Sequence, residues 1–348
     1  MNPVLFAFHL PILGKVTFPA YFTLLTVGFA LATLLTWRES RRLKINPDRI
    51  IDLNLYMVIF GVIGARVLHV IADGHIMDYI NICIAPQTVQ AVGNVPPNCI
   101  TDTQCGDYFL CNVAAGHCYP PRDCLLALKL WRGGLSYYGG FIFAVAFAMF
   151  YIRKHRLPVW RVSDLAAYGI PMGLFWGRMG CFLNGCCYGK VTHSHLGVVF
   201  PKGGATWRHQ RDLGLLAHAT AAALPVHPTQ LYSALLNLGI FFVLYFVVRP
   251  RKQFDGQVIG WMGILYAVSR SVVEVFRDDD RGVLWGVLST SQIISIPVLA
   301  ASIYLLRRLR RASRAVKPPE EPPPEAPPPA GPPSGARPSD EISAPAAS

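Results

Sequence analysis

Charge is scarce in this sequence. Only 15% of its 348 residues are Asp, Glu, Lys or Arg, while 52% are apolar; a water-soluble domain carries about a quarter charged residues. That deficit points to a chain that lives in lipid. The opening "MNPVLFAFHLPILGKVTFPA" lacks the basic start and the cleavage site of a signal peptide, so the first apolar run is expected to act as its own insertion signal. A basic stripe for nucleic acid is missing too. The net charge of +12 sits in short clusters between apolar runs, which is a topological pattern and excludes a nucleic-acid partner.

What is there is length. Seven apolar segments, near 18–37, 52–72, 134–152, 163–183, 229–248, 256–276 and 286–306, are long enough to cross a bilayer as helices. The first, third, fifth and seventh are followed by "WRESRRLKINPDR", "YIRKHRLPVWR", "RPRKQ" and "RRLRRASRAVK", which together hold 18 of the 32 Lys and Arg residues. The positive-inside bias turns those four connections to the cytoplasm. The fold class expected is therefore an all-α membrane protein with seven spans, N-terminus outside and C-terminus cytoplasmic.

This orientation divides the chain. Residues 1–17 form a periplasmic N-terminal segment and 18–306 the transmembrane domain, interrupted by a cysteine-rich periplasmic insert (73–125) and a periplasmic cap loop (188–226). Residues 307–348 are a basic, then Pro-rich cytoplasmic tail whose composition cannot bury a core and is expected to be disordered. The insert holds Cys83, Cys99, Cys105, Cys111, Cys118 and Cys124. An even count on the oxidising side reads as disulfides, and the absence of CxxC pairs weighs against zinc there. Six cysteines allow fifteen pairings, and the spacing does not choose among them.

Ionisable groups inside spans are expensive and mark candidate sites. Arg66 lies in "GARVLHV", Arg178 in "GRMGCFLNGCCYG", and Arg270 and Glu274 in "YAVSRSVVEVFR". Arg270 and Glu274 stand four apart on one helix face, with Tyr266 a turn before and Arg277 at the end. One reading is an ion pair that fixes packing. The other is an anion pocket, since three arginines from three spans approach one end of the bundle, and guanidinium binds phosphate bidentately. The glycines of "RGGLSYYGG" either admit a ligand to the backbone or pack helices closely. In "HPTQLYS", Pro228 suits a helix start, and His227 and Gln230 read first as capping or interface groups.

Taken in order, "AYFTLLTVGFALA", "GARVLHV", "RGGLSYYGG", "GRMGCFLNGCCYG", "HPTQLY", "YAVSRSVVEVFR" and "STSQIISIP" resemble bacterial prolipoprotein diacylglyceryl transferase from about residue 18 to 306. The insert and tail fall outside the resemblance. It implies transfer of a diacylglyceryl group from phosphatidylglycerol to the lipobox cysteine of a preprolipoprotein at the bacterial inner membrane. The partners implied are that lipid and preprolipoprotein signal peptides, with no cofactor and no metal. By resemblance, Arg178 and Arg270 hold the phosphate, Glu274 orients Arg270, and Tyr138 or another group assists proton transfer. Tyr21, Arg66, Gly139, Gly140, Asn184, His227, Gln230, Tyr266 and Arg277 are the implied substrate-binding set. This sequence departs from the family pattern at Tyr138, where a histidine is expected, at Cys181 for an asparagine, and at Cys186 for an acidic residue. Ser233 stands where some members carry glutamate.

Cys181, Cys186 and Cys187 admit four readings: apolar packing at a helix end, a disulfide, a thiolate activated by Arg178, or metal ligation, for which no fourth ligand is evident. The departures leave open a paralogue that binds phospholipid and transfers through its own cysteine, or a non-enzymatic lipid-binding or thiol-redox membrane protein.

Overall fold

The computed structural model describes residues 4–10, 14–71, 76–90, 99–105, 109–129, 134–216, 221–277, 283–284 and 288–315. The chain opens with an antiparallel hairpin, β1 (Val4–Leu10) and β2 (Gly14–Pro19), in which Phe6 stacks on Phe18. Helices α1 (Ala20–Arg42) and α2 (Pro47–Ile71) follow, then a short α3 (Ile76–Ile84). A small hairpin, β3 (Leu110–Asn112) with β4 (His117–Tyr119), sits in the insert. Then come α4 (Tyr137–Lys154), α5 (Val159–Asn184), α6 (Ala205–Asp212), α7 (Thr229–Phe242), α8 (Gln257–Glu274), a two-residue hairpin β5 (Val283–Leu284) with β6 (Leu288–Ser289), and α9 (Thr290–Ala315).

Each of the seven apolar segments is helical over most of its length. Four helical stretches, 20–42, 47–71, 229–251 and 290–315, are long and apolar enough to cross a membrane. Several helices run on past their apolar stretch. In α1 and α9 the last turns carry the basic residues Arg41, Arg42 and Arg314, which suit the negative end of a helix dipole. The hairpin β1–β2 has no counterpart among the elements expected from the sequence. The Pro-rich part of the tail, and Arg132 and Gly133 of the glycine-rich motif, lie outside the described residues.

The bundle is built around α5, which packs on α1, α7 and α8, while α2 packs on α4 and α8 on α9. One apolar cluster joins α2, α4 and α5 through Ile50, Leu53, Tyr151, Ile152 and Leu165. A second joins α5, α7 and α8 through Ala167, Tyr168, Ile240, Leu244 and Val258. The outward faces are greasy: Phe22, Phe141 and Phe246 are 61%, 58% and 61% exposed, as befits a surface made for lipid. Gly64 on α2 and Gly139 on α4 meet at a crossing where a Cβ on either would strike the other's carbonyl oxygen. Small residues there let the two helices touch backbone to backbone.

Polar anchors set the register of the bundle. The buried Asp164 carboxylate of α5 accepts from the Gly256, Val258 and Ile259 N–H groups at 2.8, 2.9 and 3.0 Å, capping the start of α8 from a neighbouring helix. Lys252 adds an ion pair at 2.9 Å. Nearby Asp255, which burial alone would push upward, is held below the usual carboxylate range by Arg161 and Lys252. On the same side, buried Glu39 of α1 takes a two-pronged bond from Arg249 (2.9 Å each) and one from Tyr245 at 3.1 Å. Between α7 and Arg249 the helix widens into a π-helical stretch, Val243–Val248.

The insert is stapled by Cys83–Cys124, Cys99–Cys111 and Cys105–Cys118. Cys99, Cys105 and Cys118 are its buried centre, with Phe109 against them. The loop after α5 is knitted by isolated bridges, Gly189 with Arg277 and both Val191 and Val198 with Val226, and Gln210 of α6 bonds the Leu224 backbone through both amide atoms.

Two outcomes are expected. Non-reducing peptide mapping recovers these three pairs, and any crossed pairing refutes the insert's architecture. Asp164→Ala leaves three N–H groups at the start of α8 without their acceptor and Lys252 with Asp255 alone, and lowers stability by about 3–5 kcal/mol, read as a large drop in melting temperature in detergent.

Candidate active site

The end of the bundle opposite Asp164 carries a cavity lined by Arg178 from α5, Ser233 and Asn237 from α7, and Tyr266, Ser269 and Arg270 from α8. The helices deliver these groups by simple geometry. Arg178 lies fourteen residues beyond Asp164, and Arg270 thirteen beyond Gln257, so both rise about 20 Å from one anchored level. Helix α7 runs the other way and begins at this end. Its Gln230, Ser233 and Asn237 fall three and four apart, on one face.

Arg270 is half committed. Its Nη2 donates to Ser291 Oγ of α9 at 2.7 Å and lies 2.8 Å from Glu274 Oε2, an ion pair whose contact is not aligned as a hydrogen bond. Its Nη1 is buried without a hydrogen-bond partner. Arg178 donates no hydrogen bond among the described residues and faces the same cavity. Asn237 bonds the Ser233 carbonyl at 2.7 Å through its nitrogen, and its Oδ1 is buried without a partner. Unsatisfied buried groups are few in folded proteins, so their gathering at one cavity marks a place for a polar ligand. Two guanidinium groups at its wall are chemically suited to an anion.

The other expected residues fall around this centre. Tyr266 lines the cavity, and Arg277 is buried with its backbone paired to Gly189. Tyr21 opens α1 against Gly180 of α5, within electrostatic reach of Arg178. Gln230 is fully buried and donates to the Cys186 carbonyl at 2.8 Å, with its Oε1 unpartnered. His227 bonds Tyr232 at 3.2 Å and packs on Phe276. Asn184 is exposed and donates to Cys186 Sγ.

Arg66 is used differently. It is buried and donates to the carbonyls of Leu126, Ala127 and Gly134, so it clamps the segment before α4 and does not line the Arg178–Arg270 cavity. Gly139 and Gly140 face α2, where they serve its close crossing with α4. Tyr138 is 53% exposed. Its neighbour Tyr137 is the tyrosine within electrostatic reach of Arg178, Arg270 and Tyr266. Tyr137, Asn237 and Ser291 were missed in the sequence. The α7 spacing of Gln230, Ser233 and Asn237 was the signal that could have found Asn237, while Ser291 needed the packing of α9 on α8.

The Arg270–Glu274 pair is testable on its own. Glu274→Gln leaves a buried guanidinium uncompensated and is expected to lower stability by about 3 kcal/mol; Arg270→Met added to it recovers a large part. Thermal denaturation of single and double variants measures the coupling, and additive losses would rule the pair out.

A family model described as prolipoprotein diacylglyceryl transferase matches residues 7–93 and 108–308. The unmatched stretches are residues 1–6, the middle of the disulfide-stapled insert (94–107) and the end of the chain (309–348), so the family match reaches into the insert from both sides. The phosphatidylglycerol–prolipoprotein diacylglyceryl transferase of Solidesulfovibrio magneticus is 31% identical over 301 residues, covering 85% of this chain and 92% of that protein. Proteins of the same description from Allorhizobium ampelinum and a Wolbachia of Drosophila simulans are 35% and 36% identical over 202 and 186 residues. Those alignments span 63% and 64% of the relatives' own lengths. Since the match runs from β1 into α9 and takes in every helix that lines the cavity, the chain belongs to the prolipoprotein diacylglyceryl transferase family.

Proposed function

We propose that this protein transfers a diacylglyceryl group from phosphatidylglycerol to the lipobox cysteine of preprolipoproteins, in lipoprotein maturation. One observation carries the reading: Arg270 is held on one side by Ser291 and Glu274 and keeps Nη1 buried and unpartnered, beside Arg178, which is unpaired among the described residues. A phosphodiester is the anion that two such guanidinium groups fit. The acceptor sulfur attacks the glyceryl carbon, the carbon–oxygen bond to phosphate breaks, and charge gathers on the departing glycerol phosphate. Arginines fixed in advance stabilise that charge where it develops. Tyr266 and Asn237 complete the polar wall, and Arg66 keeps the segment before α4 in place at the lipid's approach.

The same reading gives the chain seven spans in the bacterial inner membrane, with the Arg178 end of the bundle facing outward. The basic connections at the Asp164 end and the disulfides of the insert support this orientation. The substrate lipid then enters from the bilayer and the acceptor from the outer surface.

Cells depleted of their own transferase test the reading. Expression of this protein is expected to restore lipoprotein modification, and failure by a folded, membrane-inserted protein would sink the proposal. Arg178→Lys and Arg270→Lys keep the charge but lose the planar fork, and should lower kcat/KM by at least about 100-fold with little change in melting temperature.

A further inference from the structure

Three thiols meet where α5 ends, and the backbone explains why. Gly185 is left-handed at φ 72°, its N–H donates to the Phe182 carbonyl at 3.2 Å, and the Cys186 N–H donates to the Cys181 carbonyl at 3.1 Å. This glycine-terminated helix end sets the residue after the glycine beside one in the last turn. Here those two are Cys186 and Cys181. Cys187 then adopts φ 62°, a backbone region that side-chain-bearing residues occupy only when their surroundings enforce it. The enforcing contacts are Thr229 Oγ1 to the Cys187 carbonyl at 3.0 Å and Gln230 Nε2 to the Cys186 carbonyl at 2.8 Å.

As a result all three Sγ atoms lie within 4.8 Å of one another. They are free thiols, although the six cysteines of the insert are all paired. Thiolates around a zinc ion, at about 2.3 Å each, sit roughly 3.8 Å apart, so the cluster needs little adjustment to hold one. Arg178 and Arg277 lie within electrostatic reach of Cys187 and would offset the negative charge of such a site. Among the described residues no fourth His, Cys, Asp or Glu joins the group, and the buried Gln230 Oε1 beside it has no partner. Three protein ligands with one open position is the arrangement of a catalytic zinc site, as opposed to a closed structural one.

We propose that Cys181, Cys186 and Cys187 bind a zinc ion whose open fourth position takes the acceptor cysteine and holds it as a thiolate. The proposal rests on the transfer reading above. That chemistry needs a thiolate, and Tyr138 offers only a half-exposed phenol where the family resemblance expects histidine. Zinc deprotonates a coordinating thiol outright. The acceptor displaces zinc-bound water and its proton passes to solvent. A sulfur lone pair forms the new carbon–sulfur bond, and the carbon–oxygen electron pair leaves with glycerol phosphate. The thioether product is a poor ligand, so water returns to the metal. No oxidant or reductant is involved.

The test uses the full chain, purified in detergent without chelator. Metal analysis should find one zinc per protein, and Cys186→Ser should weaken zinc affinity by at least about 100-fold. X-ray absorption should find three sulfur neighbours. With cobalt in place of zinc, the thiolate-to-metal band should strengthen on adding a lipobox peptide and stay unchanged with its Cys→Ser counterpart. A disulfide within the cluster in freshly purified protein, or a lipid adduct on any of the three thiols, overturns the site. An unaltered cobalt spectrum overturns the acceptor's role. Full-rate transfer by verified zinc-free protein also overturns the inference while leaving the transfer reading intact. Zinc-loaded protein that answers the peptide spectroscopically but transfers nothing refutes the transfer reading instead.

Discussion

The Asp164 carboxylate is the fixed point of this molecule. A helix in lipid can slide or rotate against its neighbour with little change in buried apolar area, because the surrounding hydrocarbon is as greasy as the interface. Three N–H bonds and one ion pair from the start of α8 to a single side chain of α5 remove that freedom. Two helices pinned at one level and rising at 1.5 Å per residue must bring Arg178 and Arg270 to nearly the same height. The convergence of two guanidinium groups about 20 Å away is a consequence of that pin, and so is the cavity between them.

Much of the architecture could be read from residue order. Apolar runs located the seven long helices, because length and hydropathy are local properties. Arg66, Arg178, Arg270 and Glu274 stood out because a charge within an apolar run is costly and persists only where it has a task, and Tyr266 because it shares a helix face with Arg270. What could not be read was how a polar residue spends its donors. Arg66 and Arg178 look alike in sequence, yet Arg66 holds the carbonyls of Leu126, Ala127, Lys129 and Gly134 and Arg178 faces a cavity. That difference depends on a segment some sixty residues away along the chain. The paired glycines were equally ambiguous: their use in the α2–α4 crossing became clear only with Gly64 opposite. The disulfide pairing was one of fifteen possibilities, and it required the β3–β4 hairpin to set Cys111 and Cys118 side by side.

The thiol cluster lies between these cases. Its key was in the sequence all along, as a glycine four residues after Cys181 and just before Cys186. A left-handed glycine at a helix end turns linear spacing into contact, because the chain doubles back over its last turn. Linear spacing alone treats the three cysteines as a crowded stretch. The turn makes them a constellation, and polar groups from α7 keep it folded.

The π-helical stretch at Val243–Val248 has a consequence of its own. A wider turn shifts the angular phase of everything beyond it, as if one extra residue had been slipped into the coil. The polypeptide from Thr229 to Arg251 therefore runs as an α-helix, Thr229–Phe242, continued by this wider stretch and a short 3-10 turn, Arg249–Arg251. The α-helical part carries Gln230, Ser233 and Asn237, while Tyr245 within the wider stretch and Arg249 just after it reach Glu39. Such a phase break sets the direction of the cavity-lining residues apart from that of the Glu39 anchor, without a loop between them.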